Sequence, residues 1–147
     1  MKFLVTGAAG FIGKRVISQL LKKEISVIAT TTSVESEKDI FFKYIDSKNL
    51  SHENLELIHL DMSSKESIDS VLSSNDITHI ISCGYQMSNM IDDNPIKGVE
   101  VNILGVTNLF EAVVKYKIKR MVMPSSMSVY GNSQSIYGSR SVHEDDY

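Results

Sequence analysis

A chain of 147 residues that is 42% hydrophobic and 22% charged has the size and makeup of one folded domain, well away from disordered compositions. Its formal charge of -3, with basic residues in small groups such as Lys22-Lys23 and Lys115, Lys117, Lys119 and Arg120, points away from nucleic acid as a partner. Cys83 is the only cysteine, which excludes an internal disulfide or a thiolate metal cluster within one chain, and no apolar run approaches a membrane span; no metal, no membrane and a cytoplasmic location are expected.

Phe3-Leu4-Val5 reads as a buried strand that runs into the glycine-rich segment Thr6-Gly7-Ala8-Ala9-Gly10-Phe11-Ile12-Gly13. From Lys14 the period changes, and Val16, Ile17, Leu20 and Leu21 fall on one face of a helix. Ile25 to Ala29 is a second strand, followed by the polar turn Thr30-Thr31-Thr32-Ser33. Between Ser33 and Asn49, Ile40, Phe41, Tyr44 and Ile45 keep helical spacing. Leu55 to Leu60 is a third strand closed by Asp61, and Ser63 or Ser64 can cap a helix carrying Ile68, Val71 and Leu72. His79-Ile80-Ile81 begins a fourth strand, and one long helix is predicted from about Lys97 to Tyr116. Arg120 to Met123 is a fifth strand stopped by Pro124, and Gly131 to Tyr147 reads as a loop. Strands alternating with helices over this length predict a parallel α/β sheet with right-handed crossovers.

The strand, glycine turn, helix and next strand form the setting in which a three-glycine motif carries chemistry. Gly7 permits the tight turn, Gly10 leaves room for a pyrophosphate, and Gly13 lets the helix approach the sheet. The backbone around Ala9, Phe11 and Ile12 then presents N–H groups to phosphate at the positive end of a helix. A dinucleotide, NAD or NADP, is the expected cofactor. The acidic residue that usually takes the adenosine ribose belongs at the end of strand two, where Thr31 stands instead. Hydroxyls can meet either a ribose or a 2′-phosphate, so the choice between NAD and NADP stays open.

At these residues the chain resembles the extended short-chain dehydrogenase/reductase family, in particular its NAD-dependent sugar-nucleotide epimerases and dehydratases. The resemblance runs from Lys2 to about Tyr147, the first half of a typical member, and Thr6-Gly7-x-x-Gly10-x-x-Gly13 has the family's glycine spacing. It implies a Rossmann-like doubly wound parallel sheet of about five strands in the order 3-2-1-4-5, incomplete relative to the family. It also implies that Asp61, with Met62 beside it, meets the adenine amino group; a helix-capping role for Asp61 is the alternative. Ser82-Cys83-Gly84 matches the segment that passes beside the cofactor, with Cys83 filling the turn as a small residue and Gly84 letting the backbone come close. Tyr85, Gln86 and Met87 fall on the substrate side. Asn102 matches a helical asparagine whose amide bridges backbone groups near the cofactor.

The second match is Pro124-Ser125-Ser126-Met127-Ser128-Val129-Tyr130-Gly131, in which the register assigns to Ser126 the hydroxyl that hydrogen-bonds the reacting oxygen of the substrate. The family's chemistry also uses a tyrosine with a lysine four residues later, and no such pair follows Ser126; the residue four beyond Tyr137 is Ser141. The chain is therefore read as the cofactor-binding portion of a nucleotide-sugar epimerase, dehydratase or related reductase, ending ahead of the catalytic helix and substrate region and inactive by itself. A non-catalytic dinucleotide-binding or interaction module is the alternative, and self-association is expected.

Overall fold

The computed structural model describes residues 1–131 and 133–146. Five strands, β1 (Lys2–Thr6), β2 (Ser26–Thr31), β3 (Leu55–His59), β4 (His79–Ser82) and β5 (Arg120–Val122), form one parallel sheet in the order β3-β2-β1-β4-β5. The order and the parallel pairing are those expected from the sequence.

Leu4 pairs with Ile28 on one side and Ile80 on the other, and these three share one face of the sheet. Side chains alternate along a strand, so Val5, Val27 and Ala29 point to the opposite face. The first face is covered by α3 (Lys65–Ser73) and α6 (Val106–Lys115) through Ile68, Val71, Leu72, Leu109 and Ala112. The second is covered by α1 (Phe11–Leu21) and α2 (Val34–Asp46) through Ile17, Leu21, Phe41 and Ile45. Burial on both faces is why the central strands read as continuous apolar runs.

Several boundaries differ from the sequence reading, each for a local reason. Helix α1 begins at Phe11, directly after the glycine turn, three residues before the apolar period becomes visible. Strand β2 continues through Thr30 and Thr31, which are buried; their branched side chains suit a pleated surface, and the Thr30 hydroxyl donates to the Val5 carbonyl at 3.3 Å. Ser64 caps α3, its side chain accepting from the Ser67 N–H at 3.1 Å.

The long helix expected from Lys97 is interrupted. It starts as α5 (Pro95–Val99), widens into a π-helical turn over Glu100–Gly105, and resumes as α6. A short helix, α4 (Ser88–Asp93), precedes it. The stretch read as loop after Gly131 contains α7 (Ser133–Tyr137), and a 3₁₀ turn over Met127–Tyr130 lies just before it. Tyr147 lies outside the described residues. Among the described residues no helix is long and apolar enough to cross a membrane.

Candidate functional site

The chain leaves β1 toward β2 on one side and is joined by β4 on the other, so a crevice opens above the carboxyl ends of β1 and β4, where the strand order reverses. Thr6, the last residue of β1, holds the floor of that crevice. Its hydroxyl oxygen accepts from the N–H groups of Cys83 and Gly84, each at 3.1 Å, and its carbonyl accepts from the Cys83 N–H at 3.2 Å. Two strand ends are thereby fixed to each other, a role of Thr6 that the sequence motif does not mark.

The glycine turn is packed to the limit of its backbone. Gly7 has φ +62°, and a Cβ there would sit 2.6 Å from the Cys83 carbonyl oxygen. A Cβ on Gly13 would sit 2.2 Å from the Gly7 carbonyl oxygen. The Ala8 N–H donates to the Thr30 carbonyl at 2.9 Å, which fastens the turn to the end of β2. Gly10 stands at the start of α1 without a side-chain cap, so the first-turn amides of Phe11, Ile12 and Gly13 are offered to whatever lies before the helix.

Two cavities adjoin this turn and share Gly10, Cys83, Tyr85 and Gln86. The first, about 390 Å³, runs past Ala9 and Gly10 to Thr31, Glu37 and Asp61. The second, about 790 Å³, passes Phe11, Ile12 and Gly13 to Ser125, Ser126 and Val129. Together they make one cleft across the carboxyl edge of the sheet, with the glycine turn at its middle.

Most of the residues singled out from sequence line this cleft. Asp61 is half-buried and accepts from the N–H of Ser63 at 2.9 Å and its hydroxyl at 2.6 Å, with the Lys97 ammonium 3.5 Å away. Burial works to raise its pKa, but the Ser63 hydrogen bonds and the Lys97 charge prevail and hold the carboxyl below its ordinary value. Asp61 does not cap α3, which Ser64 does. Met62 also lines the first cavity, although its side chain is largely core, wedged between Gly84 and Gly105. Burial pushes the Cys83 thiol above its ordinary value, so at neutral pH it is a protonated filler of the turn. The Tyr85 phenol is raised by burial and, next, by Cys83 beside it, and its hydroxyl is buried with no hydrogen-bond partner among the described residues.

Asn102 makes the backbone bridge that the resemblance implies. It lines neither cavity; its Oδ1 accepts from the Gln86 N–H at 2.8 Å and its Nδ2 donates to the Gln86 carbonyl at 2.9 Å. It bridges backbone, and so positions the segment that lines the cleft. Ser126 is exposed beside the second cavity, and its Oγ accepts from the Ser128 N–H at 3.1 Å.

The end of β2 is not without a carboxylate. The Thr31 hydroxyl donates to Glu37, six residues on and in the first turn of α2, and both line the first cavity. The strand end carries no acid of its own; this carboxylate comes from the helix that follows. A Tyr-x-x-x-Lys spacing does occur once elsewhere, at Tyr44 and Lys48, but Tyr44 packs against the α1–α2 face of the core and lines neither cavity.

This chain belongs to the NAD dependent epimerase/dehydratase family, whose model matches residues 3–146. It is 32% identical over 138 residues to the UDP-glucose 4-epimerase of Pisum sativum, a match covering 92% of this chain and 39% of the relative. Among solved structures it resembles the UDP-glucose 4-epimerase of Thermotoga maritima with UDP-glucose, at a TM-score of 0.71 and 26% identity, covering 89% of this chain and 40% of that one. The dTDP-glucose 4,6-dehydratase of Bacillus anthracis in complex with NAD is similar at a TM-score of 0.71 and 26% identity, covering 89% and 39%. The chain thus spans about two-fifths of the length of these relatives. Fold and family together make it a Rossmann domain of that family.

Proposed function

We propose that this chain binds NAD across the carboxyl edge of its sheet, as the cofactor-binding portion of an enzyme that moves hydride at a carbinol or carbonyl carbon of a nucleotide sugar. The observation that carries the reading is the turn at Gly7, Gly10 and Gly13, where a Cβ would clash with backbone at Gly7 and Gly13 and, at Gly10, press on the Gly7 carbonyl oxygen at 3.1 Å, and where the amides opening α1 have no capping side chain. Such a cradle matches a pyrophosphate, which brings negative charge and acceptor oxygens but needs close backbone approach. The residues around it fit the rest of a dinucleotide. Asp61, ionised, accepts from the adenine amino group, and the second cavity takes the nicotinamide end.

When bound, a nicotinamide supplies a site that accepts or returns hydride. This chain's own contribution on that side is orientation. The Ser126 hydroxyl already accepts from the Ser128 N–H, which leaves its hydrogen to donate to a substrate oxygen. Gly84 keeps the backbone of the β4 turn low beneath the cleft, since a Cβ there would meet the Met62 sulfur at 2.9 Å. The relatives' names point to nucleoside-diphosphate sugars as the substrate class. No tyrosine–lysine pair stands beside Ser126 within these residues, so the 147 residues alone bind cofactor without turning substrate over.

The test is a titration of the purified chain with NADH, followed by nicotinamide emission. Saturable binding is expected, weakened roughly tenfold or more, about 1.4 kcal/mol, by Gly10→Val. Folded protein that binds neither NADH nor NADPH at millimolar concentration overturns the reading.

A further inference from the structure

The first cavity ends at a carboxylate that the strand-end motif does not provide. Thr31 closes β2, is 8% exposed, and its hydroxyl is held from two sides: it accepts from the Ser33 N–H at 3.2 Å and donates to Glu37. Glu37 is half-buried in the first turn of α2, its own N–H donating to the Ser33 carbonyl at 3.0 Å. The loop from Thr31 to Glu37 is thus closed on itself and sets the carboxylate over the strand end. One carboxylate oxygen is engaged by Thr31; the other accepts no hydrogen bond among the described residues. Glu37, Thr31 and Thr32 share their cavity with Gly7 and Gly10, and the Ala8–Thr30 hydrogen bond ties the glycine turn to this same strand end.

We propose that Glu37 takes the 2′,3′-diol of the adenosine ribose and makes this site select NAD(H) over NADP(H), an inference that rests on the dinucleotide-binding reading above. A vicinal diol presents two O–H donors, and an ionised carboxylate is acceptor-only with two oxygens, so the pair is complementary. A 2′-phosphate brings roughly 1.5 to 2 negative charges to the same place and meets a like charge that is already fixed. Among the described residues no cation offsets it inside the cavity near Thr31. The lysine that lines this cavity, Lys97, is engaged by Asp61, Ser63 and Glu100. Lys38 follows Glu37 on α2 but is exposed, and consecutive helical residues face about 100° apart. Thr31 acts as the positioning residue: its hydroxyl aims the carboxylate and contributes no charge.

The experiment uses ADP-ribose and 2′-phospho-ADP-ribose, which isolate the adenosine half, in calorimetric titrations of the wild-type chain, Glu37→Gln and Thr31→Val, with NADH and NADPH measured in parallel. Wild type is expected to prefer the ligands without the 2′-phosphate by roughly tenfold or more. Glu37→Gln should weaken ADP-ribose about fivefold while leaving or improving 2′-phospho-ADP-ribose, so that the preference collapses. Thr31→Val keeps the charge and loses its aim; it should weaken ADP-ribose while retaining most of the discrimination. Glu37 is partly exposed, so the Gln variant is expected to fold, and circular dichroism checks that it does. Binding by wild type with the same preference in Glu37→Gln overturns the Glu37 assignment alone. Binding of neither dinucleotide nor either fragment by folded wild type overturns the underlying reading as well.

Discussion

Gly13 and Gly138 show how differently a single missing side chain can matter. At Gly13 an added methyl would lie 2.2 Å from the Gly7 carbonyl oxygen and 2.9 Å from the Ala8 Cα, both backbone atoms that cannot swing aside. Gly138 has φ +65° with nothing within 4 Å of its would-be Cβ. Gly13→Ala is therefore expected to destabilise the fold by about 1–3 kcal/mol and to abolish NADH binding, because α1 must move off the turn. Gly138→Ala should cost only the left-handed strain of about 1–2 kcal/mol and leave NADH binding intact. Urea denaturation and nicotinamide fluorescence read both effects; unchanged binding in Gly13→Ala would contradict the role given to the turn. The glycine positions were legible because the absence of a Cβ is itself written in the sequence. Glu37 was not, since its place depends on α2 turning back over β2 six residues later, a tertiary fact with no local signature.

Among the elements, the interrupted helix from Pro95 to Lys115 bears most on the site. Gly105 lets it approach the β3–α3 connection, where a Cβ would be 3.0 Å from Met62 Cβ, and the widened turn sets Asn102 against the backbone of Gln86. A π turn inserted in a helix shifts the side chains beyond it, and such turns recur at functional sites. Asn102→Leu leaves the Gln86 N–H and C=O without their partners and is expected to cost about 1–3 kcal/mol. Asn102→Asp keeps the acceptor for the N–H but turns a like oxygen toward the carbonyl. Hydrogen exchange should therefore show the Gln86 amide exposed in the Leu variant and still protected in the Asp variant. Equal protection of that amide in wild type and Asn102→Leu would refute the bridge. Strand count and direction were legible from apolar runs separated by helical period, and the strand order followed from the family resemblance that the glycine motif carries. The π turn was not, because nothing in the spacing of Glu100–Gly105 marks it. Helices as short as α4 and α7 hold too few residues to display a period.

At the scale of the molecule, a sheet covered on both faces leaves its chemistry to one edge. Thr6 joins the ends of β1 and β4, Ala8 joins the turn to β2, and Asn102 fixes the segment after β4, so three strands and a helix converge on one continuous cleft. The class of protein was legible from the glycine motif in its strand–helix setting together with the Ser126–Tyr130 turn. Which dinucleotide it prefers was not, because Glu37, the carboxylate proposed to decide it, is brought to the strand end by the fold. The most direct test of a dinucleotide lying across this edge is amide mapping by ¹⁵N–¹H correlation NMR during titration with NAD. The shifts expected at saturation center on Gly10 to Gly13, with further changes at Asp61, Met62, Cys83, Gly84 and Glu37, while amides of α6 on the far face stay put. Shifts confined to α6 or α7, or none at saturating NAD in folded protein, would contradict a pyrophosphate seated at the start of α1.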